Sequence, residues 1–467
     1  MELGQLSHDK VLKIYEKASI AIANSVRSEP LGRLPIESSS RGCIPIVSNS
    51  GGLPETLDSN SIVLKKNTFE EIYSELCKLA SNEKTLLSRQ KSIFNNFRYS
   101  LIKQTKKLDD IRSNYFAIPD FKKLKIMHIT NLNERFDGRL HYNSGKRIAN
   151  GLTRLGHNVM SISDRDFLHS NKSLFDFTGS KKFNQKIINC HLNFMADLII
   201  LGHADSITFK TIEILKTINK AKICQWFLDP LVPQGPDYKK NKNRITKLGD
   251  IVDATFLTTA PEALKFKTKN FYYMPNPVDL SFERLSVYNR KPTTDLFFAM
   301  SHGVHRGILK KGKSDSRQKF LEKLKSSSKY VSFSTYGMND IQPIWGESFF
   351  NEIKNCSMAL NLSRGPTFKY YSSDRLSQLM GNGLLTFIDK KTKLHEIINK
   401  NEAIFYVDAD DLIKKIIFYK KNPKKRIQIA KNGQAAAFKR FNSSVVSQYI
   451  IEKTFNLKIA KKFSWQV

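Results

Sequence analysis

One segment of this chain occurs twice, and the repeat limits the folds that the chain can adopt. The first copy spans residues 15–57, and the second follows more than 200 residues later. A repeat of this length indicates two copies of one domain type. The two copies first align at an offset of 338 residues, where Ser19, Ala21 and Ser25 match Ser357, Ala359 and Ser363. Beyond a loop that is three residues longer in the second copy, Gly42, Leu53 and Glu55 match Gly383, Leu394 and Glu396, 341 residues apart.

Length and charge restrict the class of protein and the kind of ligand. A chain of 467 residues has room for about three domains. Its net charge of +33 predicts attraction to an anionic partner: nucleotide phosphates, acidic lipid headgroups or nucleic acid. The basic residues are spread along a chain rich in Lys, Asn and Ile, so nucleic acid is the least favoured of the three.

The cysteines and the hydropathy pattern indicate a compartment. The five cysteines are isolated and lie mostly in apolar runs, which is typical of reduced thiols in a cytosolic protein. The sequence has no signal-peptide pattern and no apolar run of membrane-spanning length. We therefore expect a cytoplasmic protein that is soluble or bound peripherally to a membrane.

Residues 1–116 alternate between helix and strand patterns, which predicts a parallel sheet covered on both faces. Residues 117–123 form the predicted linker, because Pro119 ends the preceding helix pattern. The predicted helices are 11–17, 34–40, 69–80 and a long basic one over 83–115, and the predicted strands are 20–23 and 44–47.

Two further Rossmann-like domains are predicted after the linker, over residues 124–291 and 292–442, followed by a crossing helix and tail over 443–467. Gly156 lies where the C-cap of a predicted helix requires positive φ. The fold class is therefore α/β, with two parallel-sheet domains preceded by a partial Rossmann-like half-domain. The predicted strands are 125–130, 159–163, 196–201, 222–228, 254–257, 271–274, 295–300 and 330–333.

The first copy carries a spaced set of glutamates and glycines. Glu29 and Glu37 are followed by a Gly-x-x-Pro strand and by a Gly-Gly-x-x-Glu loop. This segment resembles the C-terminal domain of glycosyltransferase family 4. The resemblance implies that Glu29 contacts a donor sugar and Glu37 a ribose, while Arg33 meets phosphate oxygens. The remaining motif residues are Gly42, Pro45, Gly51, Gly52 and Glu55.

Residues 124–456 resemble the CgeB-like glycosyltransferases, which are often grouped as family 1-like. The resemblance rests on residues 152–159, 274–279 and 373–383 and implies a GT-B fold, in which two Rossmann-like domains face a cleft. Two positions depart from the repeat: Tyr370 stands opposite Glu29, and Gln378 opposite Glu37. An amide can bind a ribose hydroxyl without charge, so donor affinity or identity is expected to differ.

The first copy is expected to be a remnant or a scaffold, with a misplaced start codon as a further possibility. It lacks an opposing domain and the strands that residues 292–345 supply to the second copy. We therefore expect catalysis to reside in the second unit.

Candidate catalytic side chains follow predicted strands, since ligands of doubly wound sheets bind beyond the carboxyl ends of the strands. Asp229 is the favoured general base if the enzyme inverts, and turn formation ahead of Pro230 is the alternative. His203 is a second candidate. The alternative is that Asp205 caps a helix and that His203 has no catalytic role. His141 is a third, on the loop 131–145.

Candidate donor-binding residues lie on three loops. Gly138 and Arg139, on the loop 131–145, are expected to meet the donor's phosphates, or else to belong to a solvated basic loop. The loop after residue 300 has glycines and cations ahead of a helix predicted near Ser316, which suits a diphosphate, with a charged surface loop as the alternative. Its candidates are Ser301, His302, Gly303, Arg306 and Lys310. Those at the position given by the repeat are Arg364, Ser373, Asp374, Arg375 and Gln378.

These observations favour a metal-independent glycosyltransferase with a nucleotide-sugar donor, no cofactor, and a cell-envelope glycan, lipid or protein as acceptor. Asp164-Arg165-Asp166 resembles a metal-binding Asp-x-Asp, but no metal is expected because GT-B enzymes generally lack such a site. The basic surface favours peripheral contact with an anionic membrane. The alternative is a catalytically inactive sugar-nucleotide sensor or scaffold of the same fold. A third hypothesis, a nucleic-acid binder, is supported only by the net charge.

Overall fold

The structure, a computed structural model, describes residues 3–115, 123–235, 237–266, 269–301, 304–305, 308–309, 316–457 and 463–466. The chain divides into two compact units, Met1–Tyr115 and Phe116–Val467. The predicted boundaries at residues 291 and 442 stay predictions. All five cysteines carry free thiols. Within the described part of the chain, no helix is both long and apolar enough to cross a bilayer.

Unit 1 is built around a small parallel sheet in which β2 lies between β1 and β3. The side chains of β2 are buried throughout, because helices pack on both faces of the sheet. Over the described residues of unit 1, no strand pairs with the outer edge of β1. The strands are β1 (Ile20–Ala23), β2 (Ile44–Ser48) and β3 (Ile62–Leu64), and the helices are α1 (His8–Tyr15), α2 (Arg33–Ser39), α3 (Phe69–Ala80), α4 (Glu83–Asn96) and α5 (Leu101–Tyr115).

The long helix predicted over 83–115 is wrong, because the structure has two helices there, α4 and α5. The break lets Tyr99 donate a hydrogen bond from its hydroxyl to the carbonyl oxygen of Glu55 at 3.1 Å. The Oγ of Ser100 then accepts from the amide of Lys103 and begins α5. Side chain contacts across the fold thus override a local pattern that is helical throughout.

The first sheet of unit 2 is entirely parallel, with strand order β5-β4-β6-β7-β8-β9. Its central strands are apolar and buried, as expected for a sheet with helices on both faces. Its strands are β4 (Lys125–Thr130), β5 (Asn158–Ser163), β6 (Leu198–Gly202), β7 (Lys222–Phe227), β8 (Ala254–Leu257) and β9 (Phe271–Tyr273). Its helices are α6 (Ser144–Arg154), α7 (Asp164–Ser170), α8 (Ser180–Phe194), α9 (Phe209–Asn219) and α10 (Tyr238–Gly249).

The second sheet of unit 2 is also parallel, with strand order β13-β10-β14-β15-β16. A short antiparallel pair, β11 with β12, lies outside it. The strands are β10 (Thr294–Ala299), β11 (Val304–His305), β12 (Ile308–Leu309), β13 (Phe333–Tyr336), β14 (Cys356–Asn361), β15 (Leu385–Asp389) and β16 (Ile404–Tyr406). The helices are α11 (Ser316–Ser327), α12 (Gly346–Ile353), α13 (Arg375–Gly381), α14 (Ala409–Lys421), α15 (Pro423–Arg440) and α16 (Ser443–Thr454).

The predicted α/β class with parallel sheets is confirmed, although one strand is displaced. The strand predicted at 330–333 is β13, which begins at Phe333. The carboxylate of Asp295 accepts hydrogen bonds from the amide and hydroxyl of Ser332, at 2.8 and 2.9 Å. These bonds hold the chain in a loop up to Ser332, so β13 starts three residues later than its apolar pattern suggests.

The internal repeat is present in the structure as a repeated order of elements. The series β1, α2, β2, β3, α3, α4, α5 in unit 1 corresponds to β14, α13, β15, β16, α14, α15, α16 in unit 2. In unit 2 the edge of β14 that corresponds to the open edge of β1 pairs with β10. Helix α16 then packs against α6, where the Oγ of Ser447 donates to the carbonyl oxygen of Ile148 at 3.1 Å.

Candidate active site

Each sheet of unit 2 has a point where its strand order reverses, between β4 and β6 in the first sheet and between β10 and β14 in the second. Ligands of doubly wound sheets bind in the crevice beyond such points. A cavity of about 290 Å³ lies there and is lined from both sheets. Its lining comes from the loop after β4, the end of β10, the approach to α12, and α13 with the residue before it.

Five of the predicted donor-binding residues share this cavity: Arg139, Ser301, Asp374, Arg375 and Gln378. They come from three loops that are far apart in the sequence, and the fold brings them together. Four other candidates, His302, Gly303, Arg306 and Lys310, lie outside the described residues.

Arg375 is held rigidly at the carboxyl edge of the second sheet. Its Nε donates to the carbonyl oxygen of Ala299 at 3.0 Å, and its Nη1 to that of Leu362 at 2.9 Å. Ala299 is the last residue of β10, and Leu362 is the first residue after the adjacent strand β14, so the guanidinium connects the two strand ends. Burial, together with the positive charge of Arg317, lowers the pKa of Arg375 to about 10.

Arg317 is a residue that the sequence analysis missed. It lies in the first turn of α11 and is almost completely buried. Two buried guanidinium groups that repel each other are stabilised when an anion binds between or beside them. Its position just after the predicted helix start at Ser316 was the signal that could have found it.

Asp374 and Gln378 form a hydrogen-bonded pair at the start of α13. The Nε2 of Gln378 donates to Oδ2 of Asp374 at 3.3 Å, and both residues line the cavity. Ser373, just before them, has a buried hydroxyl without a hydrogen-bond partner among the described residues. Carboxylate, amide and hydroxyl groups in this arrangement are suited to the hydroxyls of a sugar or ribose.

Arg139 reaches the cavity from the loop after β4. Its guanidinium lies over the Trp345 ring, with 4.8 Å between the guanidinium carbon and the ring centroid, and its buried Nε has no partner among the described residues. The nearby Gly138 adopts φ +77° and makes a turn. His141 is exposed and packs against Tyr142 and Phe282, and it is not among the cavity-lining residues.

A second cavity, of about 330 Å³, lies between α10 and the strands β6 and β7. His203 and Asp205 line it, together with Arg244, which the sequence analysis missed. Arg244 donates to Asp205 at 2.6 Å and lies 3.6 Å from the carboxylate of Asp229. Arg244 occupies the same face of α10 as Lys240 and Lys247, and this spacing was the available signal.

His203 and Asp229 are neighbours, with 3.8 Å between Nδ1 of His203 and Oδ2 of Asp229. The Nε2 of His203 accepts the amide hydrogen of Leu228 at 3.3 Å. Burial, and then the charge of Arg244, lowers the pKa of His203 to about 3. The ring is therefore neutral near pH 7, and its Nδ1 lies 3.5 Å from Nη1 of Arg244 and 3.8 Å from Oδ2 of Asp229.

Asp229 has the properties of a general base more clearly than His203. Its side chain is 49% exposed, at the end of β7. Partial burial raises its pKa above the ordinary value, an effect that Arg244 opposes. Burial, and then the charge of Asp229, raises the pKa of Tyr371.

The remaining candidates of unit 2 have contacts within the protein. Arg364 donates to the carboxylate of Asp237 at 3.2 Å. Asp166 accepts the amide of Glu134 at 2.8 Å and pairs with Arg135 at 2.9 Å, so it shapes the loop after β4. Among the residues that the structure describes, no group of three or more His, Cys, Asp or Glu side chains is arranged to hold a metal ion.

The motif in unit 1 has internal contacts too. Glu37 pairs with Arg33 at 2.8 Å and with His8 at 3.2 Å. The backbone of Glu29 lies against Gly51, where an added Cβ would approach the carbonyl oxygen of Glu29 to 2.2 Å. The Gly-Gly loop is thus required for close packing against the Glu29 segment.

Two family models match separate parts of the chain. The family described as "Glycosyl transferase-like" matches residues 316–452, and the family "Glycosyl transferases group 1" matches residues 2–95. No curated protein matches the sequence.

Several solved structures are similar at low sequence identity. Sucrose-phosphate synthase from Thermosynechococcus elongatus has 10% identity over 71% of this chain and 99% of that chain, with a TM-score of 0.47. Anabaena HepE in complex with UDP and glucose has 13% identity over 72% and 100%, with a TM-score of 0.47. A glycosyltransferase from Rickettsia africae ESF-5 has 12% identity over 72% and 100%, with a TM-score of 0.46.

The matched segments include the two copies of the internal repeat, and the second copy belongs to a unit with two parallel sheets on either side of a cavity. Both copies of the repeat are therefore similar to glycosyltransferase families, and the second copy lies in a unit built from two parallel sheets.

Proposed function

We propose that unit 2 transfers a sugar, a hexose in the simplest case, from a nucleotide-sugar donor to a hydroxyl of a cell-envelope glycan, lipid or protein. The observation that carries this proposal is the cavity in which Arg375, with Arg317 near it, lies beside Asp374 and Gln378. Two arginines suit a diphosphate, and the polar pair suits ribose or sugar hydroxyls.

The transfer is proposed to proceed at the junction of the two sheets. The acceptor oxygen attacks the anomeric carbon, its proton passes to the carboxylate of Asp229, and the bond between that carbon and the diphosphate oxygen breaks. The diphosphate leaves with the bonding electron pair, and the arginines stabilise its charge. These steps invert the configuration of the anomeric carbon. A retaining course would place another group beside the anomeric carbon.

Metal independence is part of the proposal, because arginine side chains supply positive charge where a leaving diphosphate would develop negative charge. We place the enzyme in the cytoplasm, where nucleotide sugars are made, with peripheral attachment to the inner face of the membrane. Transfer activity that persists in excess EDTA would support metal independence. Activity that is lost in EDTA and restored by Mg²⁺ or Mn²⁺ would contradict it.

Calorimetric titration of the full chain with UDP and with GDP tests the donor site. We expect saturable binding of one of them, weakened by about 10- to 100-fold in Arg317→Gln through loss of one charge-assisted contact. The matched control is Glu29→Gln/Glu37→Gln in unit 1, which should bind as the wild type does. Unchanged affinity in Arg317→Gln would refute the phosphate assignment.

A sugar-nucleotide sensor or scaffold is the second candidate. Two observations favour it: Gln378 is uncharged where the first copy has Glu37, and the Nε2 of His203 is already engaged by a backbone amide. Incubation with UDP-glucose and GDP-mannose separates the candidates. Tight nucleotide binding without hydrolysis or transfer of either sugar would favour the sensor.

A further inference from the structure

The loop between α7 and α8 exposes three large apolar side chains within four residues. Leu174, Phe175 and Phe177, here called the apolar tip, are 80%, 92% and 76% exposed. Scattered exposed apolar residues are normal on protein surfaces, but a cluster of this kind marks an interaction site. The tip is outside both cavities and has no part in the proposed transfer.

The turn that carries the apolar tip is internally bonded. Ser173 and Asp176 exchange two backbone hydrogen bonds, at 3.0 and 3.1 Å. The carboxylate of Asp176 also accepts the amides of Ser180 and Lys181 at the start of α8, at 3.1 and 2.9 Å. The apolar side chains therefore project from a structured turn, and their exposure is a property of that turn.

The charges around the apolar tip are positive. Lys172, Lys181 and Lys182 are exposed and flank the tip, and none of them forms an ion pair with a described residue. The nearest acid in the sequence, Asp176, has its carboxylate occupied by backbone amides. An apolar protrusion with basic flanks is complementary to an interface that is apolar inside and anionic at its surface.

The apolar tip lies at the carboxyl edge of the first sheet. Helix α7 begins directly after β5, and the Oγ of Ser180, at the start of α8, donates to the carbonyl oxygen of Ser206 in the loop after β6, at 3.3 Å. His203 and Asp229 follow strands that end at the same edge. A surface bound to the tip would therefore be on the acceptor side of unit 2.

We propose that the apolar tip inserts into the interfacial region of an anionic phospholipid bilayer, with Lys172, Lys181 and Lys182 contacting the headgroups. Phenylalanine and leucine side chains are suited to the boundary between headgroups and acyl chains, and lysines near it are attracted by acidic lipids. Membrane binding itself does not depend on catalysis. Delivery of a lipid-borne acceptor to Asp229 rests on the proposed function.

Sedimentation of the full chain with vesicles tests the proposal. The vesicles contain phosphatidylcholine with about 30% phosphatidylglycerol, compared with phosphatidylcholine alone. We expect wild type to bind the anionic vesicles, and Leu174→Ser/Phe175→Ser/Phe177→Ser to bind about tenfold more weakly or worse. Lys172→Gln/Lys181→Gln/Lys182→Gln should lose the preference for anionic lipid.

The matched control removes three apolar side chains that are exposed elsewhere, in Val26→Ser/Phe69→Ser/Tyr330→Ser. This control should bind vesicles as wild type does. Binding by the tip variant at the wild-type level, or no binding by wild type, would overturn the proposal. Self-association in the absence of vesicles that is lost in the tip variant would also overturn it, because the tip would then be an interface between copies.

A depth measurement is independent of affinity. In Phe175→Trp, the emission of the added tryptophan should be quenched by lipids brominated on the acyl chains. In the quadruple variant that combines Phe175→Trp with the three lysine changes, this quenching should weaken. Absence of quenching in vesicle-bound Phe175→Trp would overturn insertion. Because these assays contain no donor, their failure is distinguishable from failure of the nucleotide site.

Discussion

Arg147 and Glu283 form an ion pair whose two side chains are completely buried. Arg147 belongs to α6, whereas Glu283 lies on the segment that leads from the first sheet of unit 2 to the second. Burial opposes the charge on Arg147, but Glu283 more than offsets this and holds the pKa of Arg147 above its ordinary value. The Nη1 of Arg147 also donates to the carbonyl oxygen of Tyr142 at 2.7 Å. The pair therefore fixes the cavity-lining loop to the segment between the sheets.

Removing one partner of this pair should be strongly destabilising. We expect Arg147→Met to reduce the free energy of unfolding of unit 2 by about 3–5 kcal/mol, because an unpaired carboxylate is left buried. Urea unfolding followed by tryptophan fluorescence reports on unit 2, since all three tryptophans lie there. The control Lys323→Gln, which removes an exposed ion pair with Asp410 in the same unit, should change its stability by less than about 1 kcal/mol. Equal effects would contradict the assigned role of burial.

Asp279 should make the stability of unit 2 depend on pH in the acid range. Burial opposes its ionisation, but Arg154 donates to it at 2.8 Å, and the pKa of Asp279 is lowered to about 2. Because the folded-state pKa is below the unfolded one, the contribution is complete above about pH 4 and is lost as the pH falls toward 2.

Asp279→Asn is therefore expected to cost about 2 kcal/mol at pH 7, with a difference from wild type that shrinks between about pH 4 and pH 2. Thermal unfolding at a series of pH values measures this difference. A difference that is constant across the acid range would show that the carboxylate acts through packing.

Helix α16 can approach α6 closely because residue 151 is glycine. A Cβ at this position would lie 2.1 Å from the carbonyl oxygen of Ser443, which is backbone and cannot rotate away. Gly151→Ala should destabilise unit 2 by about 1–3 kcal/mol through overpacking, measured by thermal unfolding. In Gly138→Ala the added Cβ meets no heavy atom within 4 Å, so only left-handed backbone strain of about 1 kcal/mol is expected. The reverse order of the two effects would contradict this account.

The sequence predicts the strands of this fold well, because short apolar runs such as residues 196–201 are buried in the interior of a sheet. The internal repeat also predicted that Asp374 and Gln378 lie at a ligand-binding edge, and both line the cavity. Errors occur where distant contacts decide the local structure, as the Asp295 carboxylate does at Ser332 and the Glu55 carbonyl oxygen does at Tyr99.

The missed residues share one property: their roles depend on partners that are remote in the sequence. The sequence pattern predicts that Arg147 is a surface arginine of an amphipathic helix. Its burial is possible because it pairs with Glu283, which is 136 residues away in the sequence. Trp345, which was also missed, becomes a neighbour of the predicted candidate Arg139 only when the two sheets face each other. Periodicity and spacing carry no information about such pairs, whereas they do identify the strands.

Gln378→Glu should make nucleotide binding depend on pH. The substitution places a second carboxylate beside Asp374, where the amide of Gln378 now donates a hydrogen bond at 3.3 Å. Two adjacent carboxylates repel each other, so one of them takes up a proton as the pH falls. We expect the variant to bind UDP or GDP more weakly than wild type at pH 8, with affinity partly recovered at pH 6. A variant that binds equally well at both pH values would show that the pair is not at the donor site.

Asp229→Asn should separate chemistry from binding. The amide cannot accept a proton from the acceptor hydroxyl, so transfer should fall by about 10²- to 10⁴-fold while the affinity for the nucleotide is unchanged. In wild type, the raised pKa of Asp229 predicts that activity increases as the pH rises through the titration of this carboxyl. The comparison variant is His203→Gln, because the histidine acts on Asp229 only as a neighbour and its loss should be milder. If His203→Gln abolishes transfer and Asp229→Asn does not, the roles of the two residues are reversed and the proton passes to the imidazole.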